Sequence, residues 1–192
     1  MTLHVQRCDQ VAPQRWRNGA GFTRELLAWP AADDWQLRIS VADIEIDASF
    51  SAFPGVERWF AVLEGAGVVL QLPEGRRVVD ADSPPLHFAG EAPPDCALID
   101  GPTRDLNLMA RRGSGRSTMQ RAEAGELFAP RCGLRALFVT QAATLQIDGA
   151  DALRLEAFSL AWSEAALGVW RLAETPAPPR AWWLGFDAER AT

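Results

Sequence analysis

Apolar and polar residues alternate along much of this chain. Trp35, Leu37, Ile39 and Val41 are interleaved with Gln36, Arg38 and Ser40, and Asn107 interrupts Leu106, Leu108, Met109 and Ala110. A period of two places successive side chains on opposite faces of a strand, so residues 35–41 and 106–110 are expected to be strands. Short apolar runs at 60–63, 68–72, 136–139 and 144–147 read the same way. Turn residues punctuate them: Phe53-Pro54-Gly55, Gly65-Ala66-Gly67, Pro73-Glu74-Gly75, Ser83-Pro84-Pro85, Ala89-Gly90 and Asp148-Gly149. No segment carries a long 3.6-residue apolar period, so helices are expected to be few and short. Many short strands at close spacing predict an all-β sandwich or barrel.

A weak repeat refines this. Residues 61–72 parallel residues 138–147, each a strand, a turn and a second strand. Duplication of one small barrel is the simplest cause. The Gly- and Arg-rich stretch 111–116 reads as the linker, giving a first barrel over 1–112 and a second over 113–192. The hairpin strands of the second carry Leu145, Ile147, Leu153 and Leu155 and few charges, so it is expected to be filled by its own side chains and mainly structural. Residues 176–179, Pro-rich, read as an extended connector, with Trp182 and Trp183 pinning a last strand to the body.

Composition narrows the chemistry. The 192 residues carry a formal net charge of -6, with arginines scattered singly or in pairs, which argues against a nucleic-acid partner. No stretch approaches the ~20 apolar residues of a membrane span, and the N-terminus lacks a signal-peptide layout. Cys8, Cys96 and Cys132 have no zinc or redox spacing and suit a reducing compartment, so a cytoplasmic protein is expected. There is no Tyr, and His4 and His87 are the only histidines, which excludes a three-histidine metal centre. Eight tryptophans leave room for an aromatic homodimer interface, although core packing is their commoner use.

Polar residues on the expected strands form the candidate site. Gly19 and Gly21 permit a tight turn after Arg17 and Asn18, and the strand that follows puts Thr23 and Glu25 on one face. Arg38 and Ser40 share a face of the next strand, as do Asp105 and Asn107 of a later one, and Glu57 adjoins Arg58. Such groups facing inward are costly unless bonded to one another or to a ligand. Arginines at a cavity favour bidentate carboxylate recognition; the alternative is internal salt bridging, for example Arg58 with Glu57 or Asp105. Three functions stay open. The first is a metal-free, cofactor-free binder of a small anionic metabolite, held by Arg17, Arg38 or Arg58 and oriented by Asn18, Thr23, Glu25 and Asn107. The second is a metal-independent isomerase or hydrolase using Glu25 or Glu57 as general base. The third is a scaffold dimer without ligand.

Residues 53–65 resemble the first motif of the cupin superfamily, in which two histidines precede a glutamate and a strand. With Glu57 as that glutamate, the histidine positions fall on Ser51 and Phe53, and the second motif puts Pro93 where a third belongs. One carboxylate without imidazoles does not hold a catalytic divalent ion. Three segments together, 16–25, 50–58 and 101–109, resemble the HutD/Ves family: Trp16-Arg17-Asn18-Gly19 with Gly21, Thr23 and Glu25; Phe50-Ser51 with Phe53-Pro54-Gly55-Val56-Glu57-Arg58; and Gly101-Pro102 with Asp105-Leu106-Asn107-Leu108-Met109. The resemblance covers the first half strongly and the second by length and strand pattern. It implies a two-cupin (jelly-roll) fold and a regulatory role in histidine utilisation through a pathway intermediate, with N-formylglutamate, formiminoglutamate and urocanate as first candidates; Ves-type members are linked instead to stress responses. Where the family often has a third glycine this chain has Ala20, which fits if that residue keeps a negative φ.

Overall fold

Glycines at positive φ (Gly55 at 74°, Gly67 at 106°, Gly75 at 118°) reverse the chain where the alternation breaks, and strands follow on either side. A computed structural model describes residues 2–129, 132–164, 168–177 and 179–189. Strands dominate it, and the one helical segment among the described residues is the 3-10 turn Cys8–Gln10. Among the described residues no helix is long and apolar enough to cross a membrane. In chain order the strands are β1 (His4–Arg7), β2 (Gln14–Arg15), β3 (Gly21–Trp29), β4 (Leu37–Ile44), β5 (Ala48–Ser49), β6 (Val56–Glu64), β7 (Val68–Leu72), β8 (Gly75–Val79), β9 (Leu86–Ala89), β10 (Asp95–Leu98) and β11 (Thr103–Arg111). They continue with β12 (Gly115–Arg121), β13 (Leu127–Phe128), β14 (Leu134–Val139), β15 (Ala143–Ile147), β16 (Leu153–Leu155), β17 (Ser159–Ser163), β18 (Trp170–Leu172) and β19 (Ala181–Ala188).

The chain divides into a first unit, Val11–Ser114, and a second, Met1–Gln10 with Gly115–Thr192. This differs from the sequence boundaries at the N-terminus. β1 pairs antiparallel with β17, His4 opposite Trp162 and Arg7 opposite Ser159, a long-range ladder that no local pattern reports. β11 runs through Arg111, and the expected linker shrinks to a turn closed by Ser114 N donating to Arg111 O at 3.3 Å.

Each unit is a pair of antiparallel sheets. The first has six strands in the order β2-β3-β4-β11-β6-β9 and four in the order β5-β10-β7-β8; the second has β1-β17-β14-β19-β12 and β13-β18-β15-β16. The small sheets match position for position, and β4-β11-β6-β9 matches β12-β19-β14-β17. The weak sequence repeat is therefore a repeat of topology, with β6 to β7 and β14 to β15 each stepping from the large sheet to the small one. Hydrogen bonding leaves each sheet with two edge strands, so the units are paired open sheets and not closed barrels.

The interiors differ in bulk at the equivalent positions in the middle of the two large sheets. In the second unit Leu137 faces Trp183, where in the first unit Phe60 faces Asn107. Trp183 stacks on Phe128 with centroids 4.6 Å apart, meets Trp170 edge-on at 6.5 Å and fills the space between the sheets together with Leu145, Leu155 and Leu172. Each buried indole, covering about 150–250 Å², stabilises by up to about 5 kcal/mol. One charge in this interior escaped the sequence reading: Arg135, on the strand position matching Arg58, is buried, and its Nη1 donates to Gly168 O at 2.6 Å. Trp182 and Trp183 lie fully buried in β19, which secures the last strand as expected; Pro178 of the expected connector lies outside the described residues. No disulfide joins the cysteines among the described residues, and Cys8 and Cys96 are buried.

Candidate functional site

The six-stranded sheet of the first unit aligns its polar residues in rows. Arg38, Met109 and Arg58 stand opposite one another on β4, β11 and β6, followed by Ser40, Asn107 and Phe60, and then Ala42, Asp105 and Val62. Strand alternation turns these toward the small sheet, and Leu106 and Leu108 to the other side. Val62 of the third row packs with Val68, Leu70 and Cys96. The first two rows, with Ala42 of the third, border a cavity of about 640 Å³.

Two loops complete its walls. Phe50, Ser51 and Phe53 come from the segment before β6, which is tied down by Phe50 N donating to Pro94 O at 3.0 Å and Phe53 N to Gly90 O at 2.7 Å, while Gly90 N reaches Val56 O at 2.8 Å. A Cβ on Gly90 would lie 2.6 Å from Phe53 O, so glycine is required for this close approach. The other loop brings Arg15, Trp16, Arg17 and Asn18 to the mouth. Gly19, at φ 75°, donates its N–H to Trp16 O, and Asn18 Oδ1 accepts from Ala20 N at 3.1 Å. Ala20 is not at positive φ, so its methyl group is accommodated.

Arg58 is the centre of the electrostatics. It is 5% exposed; Nη2 donates to Asn107 Oδ1 at 3.1 Å, and Nε and Nη1 have no hydrogen-bond partner. The rings of Phe50, Phe88 and Phe53 stand 5.0, 5.1 and 5.7 Å from its guanidinium carbon. Burial, and after it the charge of Arg38, pull its pKa down to about 10, which leaves it cationic at neutral pH. Removing such an ion from water costs several kcal/mol unless paired, and cation–π contacts return about 0.5–2 kcal/mol each. Arg38 is treated differently: its Nε lies 2.5 Å from Glu25 Oε2, a close ion pair without the alignment of a hydrogen bond. Thr23 Oγ1 accepts from Trp16 Nε1 at 2.7 Å.

Of the residues singled out from sequence, Arg17, Asn18, Thr23, Arg38, Ser40, Arg58 and Asn107 line the cavity. Three do not. Glu25 sits behind Arg38. Glu57 lies on the opposite face of β6 from Arg58, as alternation dictates, and pairs with Arg112 and, at 3.2 Å, with His87 Nε2. Asp105 is wholly buried beneath the cavity; its Oδ2 accepts from Thr103 Oγ1 at 2.9 Å while Oδ1 is unpartnered, and burial raises its pKa well above the carboxylate range. Neither Glu57 nor Asp105 pairs with Arg58, and neither Glu25 nor Glu57 is placed as a base toward a bound molecule. The sequence reading missed Arg15, Trp16, Phe50, Phe60 and Met109, although Trp16 and Phe50 begin two of the quoted motifs.

Among the described residues the lining therefore contains four arginines, Arg15, Arg17, Arg38 and Arg58, and no Asp, Glu, His or Cys. Of the positions equivalent to cupin metal ligands, Ser51 and Phe53 line the cavity, whereas Glu57 faces away and Pro93 is exposed. These side chains do not fit a divalent cation, which the arginines would repel.

Two-sheet units of this topology, one with a cavity between its sheets, define a cupin-like protein. The oxalate decarboxylase of Bacillus subtilis superposes with a TM-score of 0.66 at 9% identity over 97% of this chain and 78% of that one, a likeness of fold alone. The HutD family model matches residues 9–175, and the chain belongs to that family. A conserved protein of unknown function from Pseudomonas aeruginosa PAO1 has a TM-score of 0.88 at 27% identity, covering 97% of this chain and all of that one; HutD from Pseudomonas fluorescens SBW25 has 0.85 at 24%, over 98% of this chain and all of that one. Protein Ves of Citrobacter koseri is 41% identical over 99 residues, 50% of this chain and 52% of that protein. A 21.2 kDa protein encoded in the hutC 3' region of Pseudomonas putida is 36% identical over 112 residues, 56% of this chain and 57% of that protein. The chain spans little more than half the length of the curated relatives it matches.

Proposed function

We propose that the first unit binds a small anionic metabolite through a carboxylate seated on Arg58, and that this binding serves regulation of histidine utilisation. The observation that carries the reading is a buried, cationic Arg58 with two N–H-bearing nitrogens unpartnered, in a cavity whose lining has arginines and no acid. A guanidinium so placed lacks the counter-ion that would offset its desolvation, and a planar carboxylate supplies both charge and acceptors. Ser40, Asn107, Asn18 and Thr23 are at hand for a polar, amide-like end, and Phe50, Phe53 and Phe60 for a carbon skeleton. The open cavity favours this reading over a ligand-free scaffold. Two tandem cupin barrels remain the evolutionary reading of the paired sheets, with the second unit as a packing element.

Family membership and the relative from the hutC region make histidine-pathway acids the first compounds to try: N-formylglutamate, formiminoglutamate and urocanate. Titration calorimetry against these, with neutral amide analogues as controls, is expected to give heat with the acids only. An Arg–carboxylate contact of about 1.5–3 kcal/mol implies at least a roughly tenfold weakening in Arg58→Ala. Wild-type protein that ignores every carboxylate at millimolar concentration overturns the proposal.

A further inference from the structure

Two guanidinium groups reach the cavity from one row of the sheet, and only one has a carboxylate beside it. The ladder between β3 and β4 slips between Glu25 and Leu27, so that Ala28, and not Leu27, stands opposite Arg38. The extra residue of this bulge leaves a small neighbour beside Arg38, and its head group turns back to Glu25, 2.5 Å away. Glu25 is absent from the cavity lining, so it supplies charge without touching a bound molecule. Arg15 and Arg17 lie exposed at the mouth, where water and salt screen them. At the deep end Arg58 is buried and Arg38 and Glu25 are only 21% and 28% exposed, so the charges there are screened less than those at the mouth.

We infer that Glu25 sets the charge of the group seated at the deep end: by neutralising Arg38 it leaves one unbalanced positive charge there, Arg58, and so selects a singly charged carboxylate over a doubly charged group such as sulfate. The inference rests on the anion-binding reading. A carboxylate balances Arg58; a doubly charged group adds a second buried negative charge that Arg38, already paired, does not offset, whereas a second carboxylate elsewhere on the ligand is left to the exposed Arg15 and Arg17. The two arginines sense each other, since the charge of Arg38 helps to depress the Arg58 pKa. Releasing Arg38 from Glu25 therefore changes the field at the position where the anion sits. One elementary charge acting over a few ångströms at an effective dielectric near 20 is worth more than about tenfold in affinity.

Acetate and sulfate serve as probes, titrated at constant ionic strength into wild type, Glu25→Gln and the double variant Glu25→Gln/Arg38→Met. Wild type is expected to prefer acetate. Glu25→Gln moves the acetate-to-sulfate ratio toward sulfate by roughly tenfold or more, and the double variant, again with one deep positive charge, moves it back toward acetate even though its overall affinity is lower. A role of Glu25 in folding alone would not produce that reversal. If Glu25→Gln does not fold, Arg38→Met gives the same information from the other side: its unpaired Glu25 weakens acetate binding more than the double variant does. Acetate binding with a ratio unchanged in Glu25→Gln overturns the assignment of Glu25 alone. A wild-type protein silent toward both anions overturns the anion-binding reading and this inference together.

Discussion

Arg38 and Arg58 flank Met109 in a single row of the six-stranded sheet, and the ion pair with Glu25 belongs to Arg38 alone. Arg58 is thereby a group whose burial weakens the free protein. Arg58→Met, which keeps the length and removes the charge, is expected to leave the thermal midpoint of the ligand-free protein unchanged or raised, while carboxylates no longer raise it further. Arg58→Lys keeps the charge without the planar fork and recovers only part of the binding. A large drop in the ligand-free midpoint of Arg58→Met would show that Arg58 is structural.

Asp105 gives a pH signature. Burial first, with the negative charge of Asp43 in support and the Thr103 hydroxyl bond opposing, raises its pKa well above the unfolded value near 3.9. Below about pH 4 both states are protonated and its carboxyl carries no penalty. As pH rises from there toward the folded-state pKa, the unfolded chain releases the proton first and stability falls. Asp105→Asn does not titrate, so its midpoint relative to wild type is expected to climb as pH rises above about 4. Unfolding curves across that range test this, and a constant difference would contradict it.

Gly90→Ala is expected to disturb the cavity from outside. Its new methyl would meet Phe53 O and Val56 O at 2.6 and 2.9 Å, so the strap that carries Phe53 over Arg58 must shift. Overpacking of this kind costs about 1–3 kcal/mol. Both the unfolding midpoint and the affinity for carboxylates should fall, whereas a lower midpoint with unaltered affinity would show that the strap does not shape the site.

Trp183→Ala separates packing from binding. Loss of a fully buried indole stacked on Phe128 is expected to cost about 3–5 kcal/mol, with carboxylate affinity of the remaining folded protein unchanged. A changed affinity would mean that the second unit contributes to the site.

The strands were legible because period-two alternation and glycine turns are local signals: residues 35–41 and 68–72 fall in or overlap β4 and β7, and the parallel between 61–72 and 138–147 became a shared strand order. Which of Glu57 and Arg58 faces the cavity was not legible. Alternation says that only one can, but β6 carries buried apolar residues on both faces, Phe60 and Val62 on one and Ala61 and Leu63 on the other, so hydrophobicity does not mark the inner side. Asp105 shares the face of Asn107 as alternation predicts, but alternation does not say where along that face the cavity ends, so its burial beneath the cavity was not legible; Phe50 came to the site through a loop whose path depends on the close approach at Gly90. β1 joined the second unit through a partner far along the chain, beyond the reach of any local pattern.

Strand β11 is closed on both faces: Leu106 and Leu108 are wholly buried on one, and Asp105, Asn107 and Met109 nearly so on the other. Odd and even positions thus serve separate purposes, and the chain keeps them apart by counting. Losing or gaining one residue inside Thr103–Arg111 would move Asn107 into apolar packing and set a leucine before Arg58, a change no side-chain repacking absorbs. Substitutions here can be repaired one at a time, but an insertion or deletion cannot. In a chain whose hairpin at Gly75 has open space around it, a change in length is tolerated in the loops, and the segment that faces the cavity requires a fixed number of residues.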